Sequence, residues 1–313
     1  MLSRAPQRVV RDWTRDSRQW DKYQPREGDV VVATAPKCGT TWTQRIVALL
    51  IFQSTKPRPI IETSPWIDCR FQIPIDIAVQ ILGAQTHRRA VKSHLPFDAL
   101  PIYEEIKYIH VARDGRDSCM SFHNHFTNFT QKALDDLDNV GLSDQTIGRP
   151  VPRLPSEPRG FYLDWIDPKS AGAYVGNHFF DLEQSYWSER KRPNLLLVHY
   201  NDLKADLAGE MKRIADFLEI DTPSDTWSSL VESARFESMK RDGRALLPVL
   251  DNIFKEGSDT FINSGTNERW RNVLTQADVE LYNDRVRNEL SPGLARWLEN
   301  GRLKSADPRT MED

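Results

Sequence analysis

The chain has 313 residues, of which 39% are hydrophobic and 28% charged, and its formal net charge is −3 at pH 7. This composition is typical of a globular protein and excludes a disordered chain, and the length suits one α/β domain with insertions. The small negative charge argues against a nucleic-acid-binding protein. Any anionic ligand must therefore be met by a few local cations and backbone amides.

The sequence gives no indication of export or of membrane insertion. Its longest uninterrupted apolar run, Ile46–Phe52, is far shorter than the roughly 18 residues of a membrane span. Cys38, Cys69 and Cys119 are too few and too scattered to indicate a disulfide framework or a metal site. We therefore expect a cytoplasmic protein. For the Arg-rich residues 1–28, in which acidic residues alternate with basic ones, we predict an amphipathic surface helix.

Short apolar or β-branched runs alternate with segments of helical periodicity. In chain order, the predicted strands are Asp29–Thr34, Arg89–Lys92, Lys107–Ala112 and Asn194–Tyr200. The predicted helices are Thr41–Gln53, Asp117–Phe129 and Glu210–Leu218. Strands separated by helices are typical of βαβ units, so we predict a single α/β domain with a central parallel sheet flanked by helices.

Two stretches depart from this alternation. Five prolines between Pro150 and Pro168 argue against long regular elements in residues 130–175. We predict a loop over the substrate there, and a merely decorative insertion is the alternative. Residues 241–271 combine three glycines with many polar residues and are predicted to form a second irregular segment, which we call the flap.

The segment after the first predicted strand carries the strongest local signal. The strand ends at Thr34, Pro36 and Gly39 indicate a tight turn, and an apolar helix follows. The start of that helix offers unpaired N–H groups and the positive end of the helix dipole, and Lys37 supplies a mobile cation. Residues 29–52 are therefore predicted to bind the phosphates of a nucleotide-like ligand, as a P-loop does.

Other interpretations of this loop are weaker. Lys37 precedes Gly39, whereas the lysine of a Walker A loop follows the second glycine, so a generic ATPase or kinase is disfavoured. Cys38 lies near a helix N-terminus, where the pKa of a thiol is lowered, so a nucleophilic cysteine stays open. A cysteine phosphatase would need an arginine six positions later, where Gln44 stands.

Two further clusters lie at the ends of the next predicted strands. Lys92 and His94 leave the second strand, and a histidine beside a lysine there suits a general base next to developing negative charge. Arg113 ends the third strand, and Ser121 follows it by eight residues, so this pair can hold a second phosphate. A structural Arg113 paired with Asp114 or Asp117 is the alternative.

Taken in order, these clusters resemble the cytosolic-type sulfotransferases, which use 3′-phosphoadenosine 5′-phosphosulfate (PAPS) as donor and release the desulfated product PAP. The family's Tyr-Pro-Lys-Ser-Gly-Thr-Thr-Trp loop corresponds to residues 35–42, and its Lys-Thr-His-Leu-Pro to residues 92–96. Its Arg-x7-Ser pair corresponds to Arg113 and Ser121. The resemblance extends over roughly residues 15–300, and three ordered motifs form a far stronger signal than any one of them.

The resemblance implies a role for each matching position. His94 would be the general base that deprotonates the acceptor, and Lys37 and Lys92 would stabilise the transferring sulfuryl group. Trp42 and Phe236 would stack on the adenine. The implied donor-binding residues are Lys37, Cys38, Gly39, Thr40, Thr41, Trp42, Arg113, Ser121, Tyr200, Phe236, Asn263, Ser264 and Gly265. The resemblance implies no metal ion.

The sequence departs from the family pattern at two places. Cys38 replaces a serine, so the loop has a poorer hydrogen-bond donor that we expect to be sensitive to oxidation. In the flap, Asn263 and Ser264 replace an arginine and a lysine. Hydrogen bonds without these charges are weaker, so we expect lower donor affinity unless Arg269 or Arg271 compensates.

The expected partners are a small-molecule acceptor and, at most, a second copy of the chain. Phe122, Phe126 and Phe129 favour an apolar or aromatic acceptor, such as a phenol or an apolar alcohol, although an apolar helix face explains them equally well. Gln276 replaces a valine of the family's dimer motif, so monomer and homodimer both stay open. We expect no nucleic acid and no membrane as partner.

The function implied by the resemblance is transfer of a sulfuryl group from PAPS to a hydroxyl, or as a second choice an amine, by in-line displacement. Two alternatives stay open: a non-catalytic PAP-binding homologue and an unusual nucleotide-dependent kinase. His123 and His125 diverge on a helix, so we interpret them as surface or substrate-side residues and not as metal ligands.

Overall fold

Four parallel strands form the central sheet of the computed structural model, which describes residues 1–170 and 173–313, with the backbone alone described for 173–177. The strands are β1 Leu2–Arg4, β2 Val30–Ala33, β3 Ala90–Ser93, β4 Ile102–Tyr103, β5 Lys107–Ala112 and β6 Leu195–His199. The central sheet has the order β3-β2-β5-β6, and each neighbouring pair is parallel. Strands β1 and β4 form a separate antiparallel pair.

Helices surround this sheet. The α-helices are α1 Thr40–Phe52, α2 Ile60–Thr63, α3 Ile75–Ala84, α4 Gly115–Thr127, α5 Gln131–Ser143, α6 Pro158–Ile166, α7 Ala173–Ser188, α8 Tyr200–Ala205, α9 Leu207–Leu218, α10 Ser224–Ser233, α11 Phe236–Arg241, α12 Gly243–Leu246, α13 Ser258–Phe261, α14 Gln276–Glu289 and α15 Pro292–Asn300. Short 3-10 helices lie at Ser17–Lys22, Phe97–Ala99, Pro248–Asn252 and Arg269–Asn272. No helix in the described ranges is both long and apolar enough to cross a bilayer.

The alternation of side chains along β2 explains why the sheet is buried on both faces. Val31 and Ala33 pack into one apolar core and Val30 and Val32 into a second, and all four are fully buried. Helices α4, α6 and α7 contribute to the first core, and α1 and α9 to the second. Burial stabilises each of these valines by roughly 1.5–3 kcal/mol, so β2 is firmly held where it enters residues 35–42, the predicted phosphate loop.

The predicted parallel sheet is confirmed, and the predicted strands agree with the structure to within one residue at each end. The three predicted helices begin one to three residues earlier than expected, at the starts of α1, α4 and α9. For two of them the reason is a capping aspartate. Asp114 accepts a hydrogen bond from the backbone of Arg116, and Asp206 from that of Gly209, which fixes the first turn upstream of the apolar periodicity.

The prediction that residues 130–175 lack long regular elements is wrong. Helix α5 has 13 residues and lies before the first of the prolines, and Thr130 caps it by accepting from the backbone of Ala133. Pro158 occupies the first turn of α6, where its missing N–H costs nothing. The irregular parts are therefore the connection between these two helices and residues 167–170 after α6, and residues 171–172 lie outside the described chain.

The predicted amphipathic helix over residues 1–28 is also wrong. The segment forms strand β1 and a six-residue 3-10 helix instead. Part of its charge is turned inward rather than to solvent, because Asp12 and Arg15 form a buried ion pair with 2.6 Å between Oδ2 and Nη2. Trp20 is buried as well and donates to Asp68 at 3.2 Å. Residues 241–271, by contrast, contain only short helical turns, which agrees with the irregular stretch predicted there.

Candidate active site

The carboxyl ends of the four parallel strands bring the predicted site residues together. The phosphate loop follows β2, His94 follows β3, Arg113 follows β5 and Tyr200 follows β6. The loop and these three residues line one cavity of about 320 Å³. With the exception of Cys38, every catalytic or donor-binding residue named from the sequence lies on its wall.

The loop between β2 and α1 depends on backbone conformations that few residues adopt. Lys37 has a φ of 68° and Gly39 a φ of 113°, both in the left-handed region. A side chain at Gly39 would meet the Tyr200 ring at 3.0 Å, so glycine permits the close approach of loop and ring. Thr40 and Thr41 in the first turn of α1 line the cavity, so unpaired N–H groups at the positive end of the helix dipole adjoin it.

The thiol of Cys38 points away from the cavity. It is fully buried, with Sγ 3.7 Å from Ser118 Oγ and 3.9 Å from Pro36 O. Burial raises the pKa of the thiol well above its usual value, the opposite of what a nucleophile or an oxidation-sensitive thiolate needs. The structure therefore argues against both of those expectations, and against a donor contact through this side chain.

Two partly buried lysines place positive charge beside the loop. Lys37 Nζ lies 3.2 Å from His125 Nδ1 and 4.3 Å from the centre of the Phe261 ring. Lys92 Nζ lies 4.1 Å from the centre of the Trp66 ring. Burial and neighbouring cations lower the pKa of Lys37 to about 7, and burial lowers the pKa of Lys92 to about 8. An anion bound between these lysines would favour their charged forms.

The orientation of His94 makes it a suitable base. Its Nδ1 lies 2.8 Å from Thr34 O, and because a carbonyl oxygen only accepts, Nδ1 carries the ring proton and Nε2 is the basic nitrogen. Asp68 accepts from the His94 backbone N–H at 3.1 Å, and Arg15 donates to its carbonyl at 2.6 Å. Burial and the charge of Lys92 lower the pKa of His94 well below 6.5, so the ring is neutral at pH 7.

Arg113 connects the loop side of the cavity to the segment 241–271. Its Nε and Nη2 donate to Asn267 Oδ1 at 3.2 and 2.6 Å, and Nη2 also donates to Thr266 O at 3.0 Å. The guanidinium stacks over the Tyr200 ring at 4.2 Å. Ser121, two turns along α4, lines the same cavity. This arrangement can hold an anion between a buried cation and a hydroxyl.

Aromatic side chains line the cavity next to this pair. Trp42 Nε1 donates to Ala234 O at 2.7 Å, and the indole packs edge-on to Tyr200 with 5.4 Å between ring centroids. Gly265 has a φ of 62°, and a side chain there would meet the Phe236 ring at 2.7 Å. These rings offer faces on which a planar base can stack.

The cavity wall next to the flap carries positive charge, although Asn263 and Ser264 of the flap are neutral. Lys204 Nζ donates to Gly265 O at 2.8 Å and lines the cavity. Arg269 lines it too, and burial together with a neighbouring arginine lowers its pKa. Arg271 is exposed and pairs with Glu268 at 3.1 Å. Of the two arginines expected to compensate, Arg269 is therefore the one in position.

Much of the remaining wall is apolar. Phe122, Phe126 and Phe129 line the cavity, as the acceptor interpretation of these residues requires. Further apolar residues of the wall include Ile60, Phe71, Met239, Leu246, Ile253 and Phe254. Such a surface suits an apolar molecule that carries few polar groups.

Some residues of the site escaped the sequence analysis. Lys204 lies one turn into α8, so helical spacing from the start of that helix would have placed it on the cavity side. Ser121 and His125 lie four residues apart on α4 and therefore share a helix face. For His125 we predicted a position either at the surface or beside the substrate, and the structure places it on the cavity wall. Asp117 accepts from the backbone of Glu268 at 2.6 Å, a contact between residues 151 positions apart that no local pattern indicates.

Comparisons with known proteins agree with this geometry. A family model described as a sulfotransferase domain matches residues 27–293. A glycolipid sulfotransferase of Mycobacterium bovis (strain BCG / Pasteur 1173P2) is 31% identical over 319 aligned positions, which cover 96% of each chain. Sulfotransferase 1E1 of Homo sapiens is 25% identical over 282 positions, which cover 87% of each chain.

Two solved structures share the fold. One is retinol dehydratase in complex with androsterone and inactive cofactor PAP, with a TM-score of 0.67, 22% identity and coverage of 88% of this chain and 84% of that chain. The other is mouse sulfotransferase SULT7A1 complexed with PAP, with a TM-score of 0.63, 20% identity and 90% coverage of both chains. The family match includes the phosphate loop, His94, Arg113 and the flap. The chain belongs to the sulfotransferase domain family and is an enzyme of that family.

Proposed function

We propose that this enzyme transfers the sulfuryl group of PAPS to a hydroxyl of an apolar small molecule, with His94 as general base. The observation that supports this most directly is the orientation of His94. Its Nδ1 is engaged by Thr34 O, which leaves Nε2 as a base in a cavity that also holds Lys37, Lys92 and an apolar wall.

The charges of the cavity fit the two anionic ends of PAPS. Arg113 is buried and the two lysines are partly buried, and the groups that contact them are uncharged: an imidazole and a phenyl ring for Lys37, an indole for Lys92, and amide and carbonyl oxygens for Arg113. Cations that are shielded from water and have neutral partners favour an anionic ligand. We assign the 5′-phosphosulfate to the loop and the two lysines, and the 3′-phosphate to Arg113 and Ser121.

Transfer then needs one proton acceptor and sufficient countercharge. His94 Nε2 takes the proton of the acceptor hydroxyl, whose oxygen forms a bond to sulfur while the bond between sulfur and the bridging phosphate oxygen breaks. PAP leaves with the negative charge that Lys37 and Lys92 neutralise, and His94 later returns its proton to solvent. Positioning and countercharge supply most of the rate enhancement in group transfers of this kind.

The acceptor that we propose is an apolar alcohol or phenol. The apolar wall with Phe122, Phe126 and Phe129 supports an apolar body beside a single reactive hydroxyl. Two comparisons support an acceptor with an apolar body, since one relative is named a glycolipid sulfotransferase and one structural neighbour was solved with androsterone.

The test is turnover of PAPS with a panel of acceptors that includes a sterol, a long-chain alcohol, a phenol and a free sugar, with the sulfated product and PAP both quantified by mass spectrometry. We expect product with one or more of the apolar hydroxyls and little with the sugar. PAP binding without any turnover would favour the non-catalytic homologue. ATP consumption without PAPS turnover would favour the kinase.

The flap cations give a matched pair of variants. Arg269→Met should weaken PAP binding about tenfold, because a cation on the cavity wall is lost. Arg271→Met should change the affinity less than about twofold, because this arginine is exposed and paired with Glu268. Calorimetric titration of PAP into the wild type and both variants measures the two effects. Equal effects would refute the assignment of the compensating charge to Arg269.

PAP affinity should fall as the pH rises above neutrality. The pKa of Lys37 is about 7 and that of Lys92 about 8 in the free protein, so both are protonated at low pH and lose their protons between about pH 7 and 9. The phosphates of PAP are already ionised there. Binding must then restore protons to the lysines, and Kd should rise by up to about tenfold per pH unit for each titrating lysine. Proton uptake, measured calorimetrically in buffers of different ionisation enthalpy, checks this; a constant Kd without uptake contradicts it.

A further inference from the structure

Lys37, the cation of the phosphate loop, also touches the aromatic wall of the cavity. Its Nζ lies 3.2 Å from Nδ1 of His125 on α4 and 4.3 Å from the centre of the Phe261 ring. His125 in turn packs against Phe129 and Phe254, with ring centroids 5.0 and 4.6 Å away. A polar imidazole therefore stands at the border between the apolar wall and the phosphate loop.

The chemistry of the two groups fixes the direction of their hydrogen bond. An ammonium has three donors and no acceptor, so Nδ1 of His125 accepts from the charged Lys37 and the ring proton lies on Nε2. Burial and the charges of Lys37 and Lys92 lower the pKa of His125 well below 6.5, so the ring stays neutral and able to accept. One N–H of Lys37 thereby donates to His125, and this hydrogen bond restricts the orientation of the other two N–H groups.

We propose that His125 is a positioning residue, whose imidazole fixes the Lys37 ammonium so that its remaining N–H groups meet the group in transfer. This inference deepens the proposed function and rests on it. Four aromatic rings, those of Phe122, Phe129, Phe254 and Phe261, lie within 5.7 Å of the imidazole, centroid to centroid, and hold it by packing. A flexible lysine then needs little reorganisation when the charge develops.

Three variants separate positioning from packing. His125→Phe keeps a ring of similar size but removes the accepting nitrogen, and His125→Gln keeps an acceptor. We expect His125→Phe to lower kcat about tenfold with KM for PAPS within about twofold, and His125→Gln to recover a large part of the loss. His123→Phe is the matched control, because it makes the same change on the same helix. The His123 ring contacts Ser156 O and does not line the cavity, so this variant should leave kcat unchanged. A kcat of His125→Phe at or above the wild-type value overturns the proposal; should this variant not fold, His125→Met takes its place.

A second measurement does not depend on turnover. The rate of Lys37 acetylation, followed by quantitative mass spectrometry as a function of pH, reports the pKa of its ammonium, which is about 7 in the wild type. Loss of an accepted hydrogen bond destabilises the ammonium, so His125→Phe should shift this titration about half a pH unit or more to lower pH, and His125→Gln should not. An unchanged midpoint in His125→Phe overturns the proposal. If the wild type does not turn over PAPS, the proposed function fails while this titration still decides whether His125 holds Lys37.

Discussion

Replacement of His94 by glutamine should lower kcat about 10³-fold and leave PAP affinity within about threefold of the wild type, since general bases contribute ~10²–10⁴-fold. Glutamine has no basic nitrogen, so the acceptor keeps its proton. Its amide can still donate to Thr34 O as the imidazole does at 2.8 Å, so the local fold is preserved.

Single-turnover rates at saturating PAPS, combined with calorimetric titration of PAP, measure the two quantities separately. His123→Gln is the matched control, because this histidine lies on α4 but off the cavity wall. A His94→Gln variant that retains more than about a tenth of the wild-type kcat is inconsistent with His94 as the base.

Replacement of Arg113 by methionine should weaken PAP binding by about 10- to 100-fold, the effect of roughly 1.5–3 kcal/mol that hydrogen bonds to a charged group contribute. Arg113 is buried and its guanidinium lies over the Tyr200 ring, so the substitution removes a positive charge from the inner wall of the cavity. Arg113→Lys keeps a positive charge but loses the planar guanidinium with its paired N–H donors, so it should give an intermediate loss of PAP affinity.

The same substitution tests whether Arg113 acts on the ligand or only on the flap. Arg113→Met also frees Asn267 Oδ1 and Thr266 O, so a fall in melting temperature is expected alongside the loss of affinity. Arg271→Met changes an exposed arginine of the same flap and serves as control. If the Arg113→Met variant loses stability but binds PAP as well as the wild type, the assignment of the 3′-phosphate to Arg113 is refuted.

Short-range chemistry made it predictable that the residues at the strand ends meet at one cavity. A parallel sheet delivers its strand ends to one edge, so His94, Arg113 and Tyr200 had to converge once their strands were recognised. The tight turn at Gly39 and the helix that follows it are local as well. The resemblance then supplied roles that spacing alone leaves open, such as that of Phe236.

Long-range packing decided the parts that could not be predicted. The side-chain direction of Cys38 depends on Ser118, 80 residues away, and helix-terminal position alone suggested a reactive thiol. The burial of Asp12 with Arg15 likewise depends on surroundings that a charge-rich sequence does not reveal. Helix α5 was not predicted for another reason. The prolines that disfavour helices begin at Pro150, and Gln131–Ser143, which contains none of them, is free to be helical.

The position of each strand in the sheet has a consequence for how such an enzyme can diverge. The phosphate loop follows β2, and Arg113 follows β5, the two interior strands, each paired on both sides. Much of the apolar wall instead comes from short turns such as α12 and α13, outside the sheet. Under the proposed function, mutations that alter the range of acceptors therefore fall mainly on segments whose rearrangement leaves the interior strands unchanged. The acceptor could then vary between relatives while the residues proposed to bind the donor are inherited.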